Sequence, residues 1–97
     1  MEVLTDQEID GLLAKLPEWK REDHHGQHGI ARTFTTGNFL AGLGFVTRVA
    51  VLAEAANHHP DIVLRYPRVT VFLTTHDAGG LTQKDFDLAG QIDRLGA

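Results

Sequence analysis

The stretch from Asn38 to His58 constrains the fold most, because it reads as one long helix with an apolar side that cannot stand alone. Phe39, Leu43, Val46, Val49, Ala50 and Ala53 fall on one face at 3.6 residues per turn, a stripe that needs a sheet to cover it. Pro60 limits the helix. A residue preceding proline is pushed out of the helical region, so His59 belongs to the turn and His58 to the last helical turn.

The flanking sequence supplies that sheet. Thr5-Asp6-Gln7-Glu8 has the pattern of a capping box; Ile9, Leu12, Leu13 and Leu16 continue at helical spacing, the helix runs to about Lys15, and Pro17 is its stop. Residues 19–22 and 30–35 read as two short strands joined by a polar, glycine-containing loop over 23–29. Residues 62–66 and 68–75 carry the β-branched and aromatic side chains of strands. Val69, Val71 and Leu73 alternate there with Arg68, Thr70, Phe72 and Thr74, and Pro67 sits in the tight connection. After Gly79-Gly80, Thr82 and Asp85 cap a last helix that runs to about Leu95. The predicted order is αββαββα, an α+β fold with a four-stranded antiparallel sheet and three helices packed on one face. A single domain over 1–97 is expected, since a chain of 97 residues buries roughly 60–70% of its unfolded surface around one core.

Apolar residues make up 42% of the chain and charged residues 23%, the balance of a globular protein rather than a disordered one. The net charge of -4 comes from 13 acidic and 9 basic residues with no run of like sign, which argues against nucleic acid or anionic membrane as a partner. Cysteine and serine are both absent, so any chemistry falls to His, Asp, Glu, Thr, Tyr or Lys. The opening Met1-Glu2-Val3-Leu4-Thr5-Asp6 has neither a basic start nor an apolar run, and no secretory signal is visible. The apolar region from Phe39 to Ala53, interrupted by Thr47 and Arg48, reads as too short for a bilayer, so cytoplasmic residence is the expectation.

Six histidines remain as the principal chemical resource. Glu54 and His58 are four residues apart on the long helix, which puts them on one face and lets the carboxylate orient or charge the imidazole. The partial negative charge at a helix carboxyl end also favours imidazolium. His59, about 100° further round if helical, points elsewhere. His76 follows the last predicted strand, where hairpin geometry brings it back toward the helix end. Three imidazoles in one cleft would supply both an acid and a base near neutral pH.

Glu54, His58-His59-Pro60, Tyr66, His76 and Asp85, in this spacing, resemble the signature of the pterin-4a-carbinolamine dehydratase family. The likeness covers nearly the whole chain: Leu4-Thr5 before a helix, Trp19, Phe34 with Phe39, Ala53-Glu54, Thr75-His76-Asp77 and Gly79-Gly80-Leu81-Thr82 all look like family landmarks. It implies a 4a-hydroxytetrahydrobiopterin dehydratase, a lyase that expels the 4a-hydroxyl as water to give quinonoid dihydropterin and supports tetrahydropterin recycling. Carried over residue by residue, it implies His58, His59, His76 and Glu54 as the catalytic group. His58 and His76 would be proton donors and His59 the base or a binding partner. His59, Tyr66, Thr75 and Asp77 would bind the substrate. The resemblance implies no metal and no organic cofactor, a homodimer or homotetramer, and a functional link to an aromatic amino acid hydroxylase. It also carries an alternative, a weak or inactive member acting as a dimerisation, assembly or regulatory module, since relatives partner a homeodomain transcription factor or serve as assembly factors. The presence of all three histidines favours the enzyme.

Three departures stand out. Ile62 occupies a position where many members carry tryptophan, which implies a weaker aromatic contact to a flat pterin; Pro67 and Ala78 replace residues more familiar there. Other features have plainer readings. His24, His25 and His28 would space a metal site only on a helix, and Gly26 and Gly29 argue for a loop. Gly42-Leu43-Gly44 lies inside a helix, not at a strand-to-helix turn, and small residues there let another helix approach. Asp85 reads as a helix cap with a structural role, and Trp19 and Tyr66 as core or pocket-wall aromatics.

Overall fold

The cap at Thr5 forms as its sequence dictates: the Thr5 hydroxyl accepts from the Glu8 amide at 3.1 Å, and the Glu8 carboxylate accepts from the Thr5 amide at 2.8 Å. The computed structural model describes residues 2–96, so Met1 and Ala97, the ends of the expected domain and of the leader reading, lie outside it. Helix α1 spans Asp6–Leu13 and ends before Lys15, because Leu16 and Trp19 already turn back onto the carbonyls of Leu13 and Leu16. Strands β1 (Lys20–His24) and β2 (Gln27–Thr35) follow, then α2 (Phe39–Ala56), β3 (Asp61–Arg65), β4 (Arg68–Leu73), a one-turn 3-10 helix (His76–Ala78) and α3 (Gln83–Asp93). All strand pairs are antiparallel, in the order β1-β2-β4-β3. The αββαββα fold with a four-stranded sheet is therefore present.

The period-2 reading of β4 holds. Val69, Val71 and Leu73 point to the helices and join Ile30 and Phe34 of β2, Phe45, Val49 and Ala53 of α2 and Leu88, Ala89 and Ile92 of α3 in one core. Ile62 packs at the edge of that core. Trp19 is buried too; its indole N–H donates to Asp93 at 2.8 Å, and Arg32 donates to the same carboxylate oxygen, joining β2 to the end of α3.

The expected loop over 23–29 is instead a ladder. His24 pairs with Gln27, and the turn is only His25-Gly26, both at positive φ (51° and 77°), the mirror-image conformation that matches strand twist. Histidine is among the few side chains that tolerate this region, so the turn hid inside a polar stretch.

Helix α2 starts at an Asn38 cap, whose side chain accepts from the Ala41 amide at 2.8 Å, and stops at Asn57, in the left-handed conformation with φ 49° and ψ 44°. The Asn57 amide bonds back to the Ala53 and Glu54 carbonyls and the His58 amide to the Ala53 carbonyl, a Schellman closure with asparagine in the usual glycine place. The helix thus ends before His58, not through it. It is also longer than the apolar region expected to stop at Ala53. At 18 residues and mean hydropathy 1.6 it is long and apolar enough, by length and composition, to cross a membrane, a test that a helix packed on a sheet also meets. Gly42 serves the sheet rather than a second helix, since a Cβ there would lie 2.7 Å from a methyl of Leu64 on β3.

Candidate active site

The ends of α2 and β4 meet the start of α3, and the meeting point is a buried carboxylate. Asp85 is fully buried, and as third residue of α3 it accepts from the Thr82 amide at 3.0 Å. That is the cap the sequence announces. The same carboxylate does more: Oδ2 accepts from the Thr75 hydroxyl at 2.7 Å, and Oδ1 lies 2.5 Å from Nε2 of His58. The Thr75 hydroxyl has one proton and gives it to Asp85, so the Thr82 hydroxyl, 2.8 Å away, is the donor toward Thr75. Three donors around two oxygens satisfy a group that would otherwise be costly to bury. The arrangement also fixes His58, whose proton must sit on Nε2, leaving Nδ1 as the ring nitrogen free for other work.

The Schellman turn at Asn57 changes which histidine meets Glu54. With the helix already closed, His58 turns inward to Asp85, and His59 swings back so that Nε2 lies 2.9 Å from Glu54 Oε1. The expected Glu54–His58 pair on one helix face is replaced by Glu54–His59. Both members of this pair are exposed, whereas His58 is buried. His76 begins the one-turn helix after β4, is exposed, and has Nδ1 2.6 Å from the Gln27 side-chain nitrogen.

These rings share one recess. A hollow of about 530 Å3 is lined by His58, His59, Thr75, His76, Asp77 and Lys84, among others, a size that suits a small bicyclic molecule. A second hollow of about 290 Å3 continues past His59 and His76 and is walled by His24, His25, Gln27 and Phe72. The expected site residues divide accordingly. His58, His59, His76, Thr75 and Asp77 come together, and Glu54 reaches the group through His59. Tyr66 does not: it is exposed at the β3–β4 turn, where it borders a separate hollow with Arg65 and Arg68.

Sequence reasoning missed three participants. Asp85 was assigned only its cap, because Thr82-x-x-Asp85 accounts for it locally while its other partner is 27 residues away. Gln27 and Lys84 carried no signal at all. The histidines of the hairpin are separated by alternation, with His24 stacked on Phe72 on one side of the sheet while His28 bonds Asp23 and accepts from Arg21. Among the described residues no group of three or more His, Asp or Glu is arranged to hold a metal ion.

Chemically, the recess offers three imidazoles with different partners: a buried carboxylate at His58, an exposed one at His59 and an amide at His76. Such a set can give and accept protons on a bound molecule without a covalent step.

A model of the family described as pterin 4 alpha carbinolamine dehydratase matches residues 2–95. Proteins from Picosynechococcus sp. and Chloroflexus aggregans, each carrying the provisional name pterin-4-alpha-carbinolamine dehydratase, are 54% and 55% identical over 92 residues. Those alignments cover 95% of this chain and 96% and 95% of the relatives. The crystal structure of a transcriptional coactivator/pterin dehydratase from Brucella melitensis superimposes with a TM-score of 0.89 at 32% identity, covering 99% of this chain and 100% of that one. A pterin dehydratase-like protein identified as a RuBisCO assembly factor in the alpha-carboxysome gives a TM-score of 0.66 at 18% identity over 82% of this chain and 90% of its own, a likeness of fold alone.

Proposed function

The chain belongs to the pterin-4a-carbinolamine dehydratase family, and from that premise we propose that it dehydrates 4a-hydroxytetrahydrobiopterin to the quinonoid dihydropterin. The observation that carries this reading is the convergence of His58, His59 and His76 on one hollow of about 530 Å3. The reaction breaks the C4a–O bond and forms a double bond from C4a to the adjacent ring nitrogen. It needs one proton delivered to the departing oxygen, which leaves as water, and one removed from that nitrogen. His76 delivers that proton from Nε2 and His58 is the second donor, from Nδ1 when its ring carries a proton there as well; His59, with Glu54 behind it, is the base, and Thr75 and Asp77 border the bound ring. No step calls for a metal or an organic cofactor. In a cell the substrate would come from an aromatic amino acid hydroxylase, and a cytoplasmic setting suits that supply.

A homodimer or homotetramer is part of the same proposal. Leu40, Leu43, Gly44, Thr47 and Val51 make a stripe on the outer side of α2, with Leu40 77% and Val51 65% exposed, a face that a second copy would cover. The same face would serve a dimerisation or assembly role if turnover were absent.

The test is turnover of 4a-hydroxytetrahydropterin by the wild type and by His58→Ala, His59→Ala and His76→Ala. Each substitution should lower the rate about a hundredfold or more, the scale of one positioned acid or base. Equal rates in all four proteins would remove the enzyme reading.

A further inference from the structure

We propose that Gln27 is a positioning residue for His76, holding its imidazole in the tautomer that carries the proton on Nε2. This inference rests on the proposed reading of the hollow as a dehydratase site and adds to it a residue from the β1–β2 hairpin, an element that contributes none of the expected site residues.

The argument begins at the contact. The Gln27 side-chain nitrogen lies 2.6 Å from Nδ1 of His76. An amide nitrogen only donates, so Nδ1 must accept with its lone pair, and the ring proton is left on Nε2. No other side-chain hydrogen bond to the His76 ring is present among the described residues, so Gln27 alone fixes its tautomer. His58 and His59 stand differently, each with Nε2 turned to a carboxylate that can only accept. Those two rings keep Nδ1 free, whereas His76 keeps Nε2–H free, and the hollow receives a neutral donor from one side.

Gln27 can hold the ring only if the hairpin tip is itself held, and three contacts do so. The His24 ring, directly across the ladder from Gln27, stacks on Phe72 with centroids 4.2 Å apart and planes 11° from parallel. The Thr74 hydroxyl donates to the His28 carbonyl at 2.8 Å. Gly29 leaves the space that Phe72 fills, since a Cβ there would stand 2.6 Å from the ring. The first residue of β2 is thereby fastened to the end of β4, and β4 leads directly into His76. His76 itself is exposed and sits on a single turn of 3-10 helix, a weak support without that partner.

Nitrogen-15 NMR of labelled protein, at a pH where the ring is neutral, reads the tautomer directly. The wild type should show His76 protonated on Nε2 and bare on Nδ1. Gln27→Glu places an acceptor at the same reach and should move the proton to Nδ1, while the spectrum itself reports that the variant is folded. Gln27→Leu, which removes the contact, should lower turnover about tenfold with KM changed by less than about twofold, part of the larger effect of a positioned acid. An unchanged tautomer in Gln27→Glu overturns the proposal, as does a wild-type ring protonated on Nδ1. A wild type without turnover would refute the proposed function, and the tautomer comparison would still decide the role of Gln27.

Discussion

Replacing Asp85 by asparagine isolates what the buried carboxylate does, because it preserves shape and removes one acceptor. In the native network Oδ2 takes the two threonine-side donors and Oδ1 takes His58. An asparagine oxygen can serve Thr75 and Thr82, which leaves its NH2 facing Nε2 of His58. Two donors then meet, and His58 must move its proton to Nδ1. The lost charge-assisted hydrogen bond contributes about 1.5–3 kcal/mol, and the lower cost of burying a neutral amide offsets part of it, for a net loss of about 1–2 kcal/mol. Asp85→Ala strands three donors, His58 Nε2, Thr75 and the Thr82 amide; breaking a buried pair in this way costs about 3–5 kcal/mol. A domain of this size loses about 4–8 °C of Tm per kcal/mol, so asparagine should lower Tm by about 5–15 °C and alanine by on the order of 15–30 °C. Urea and thermal unfolding measure these differences, and turnover should fall about a hundredfold in Asp85→Asn because His58 then loses the carboxylate that holds its Nε2 proton while Nδ1 delivers another. If Asp85→Asn unfolds within about 0.5 kcal/mol of wild type, the range of an ordinary surface change, and turns over normally, the network does not carry the site and the reasoning fails.

The structure yields three further expectations. Gly29→Ala puts a Cβ 2.2 Å from the Leu73 carbonyl oxygen and 2.6 Å from the Phe72 ring, so it should cost about 3 kcal/mol in denaturant unfolding. Gly90→Ala in α3, with nothing within 4 Å, should instead stabilise by about 0.5–1 kcal/mol, and equal effects at the two glycines would refute the packing account. Leu40→Glu combined with Leu43→Glu should shift the light-scattering mass toward the monomer, and an unchanged mass would show that this face of α2 is not where copies meet.

Local rules made most of the fold legible. The Thr5 cap, the alternation in β4 and the Thr82 cap are short-range signals, and each element forms near where its signal lies; α2 forms too, but it turns Gly42, Phe45, Val49 and Ala53 to the core and leaves Phe39, Leu43 and Ala50 of the expected face exposed. What escaped was settled by two left-handed residues and by distance along the chain. His25 let a two-residue turn pass for a loop, and Asn57 stopped α2 early, exchanging the partners of His58 and His59. The three histidines could be grouped from spacing, but their partners could not. Asp85 is 27 residues from His58 and Gln27 is 49 from His76, and no periodicity reports a contact of that kind.

Asn57 handles no proton in the proposed reaction, yet it phases the pair that follows it. Its φ of 49° is tolerated by asparagine and glycine and resisted by β-branched side chains, which would let the helix wind on. Each extra helical residue turns the downstream chain by about 100° and advances it about 1.5 Å, enough to swing both imidazoles out of the recess. Sequence drift at this one backbone hinge could therefore silence the protein while leaving every acid and base intact.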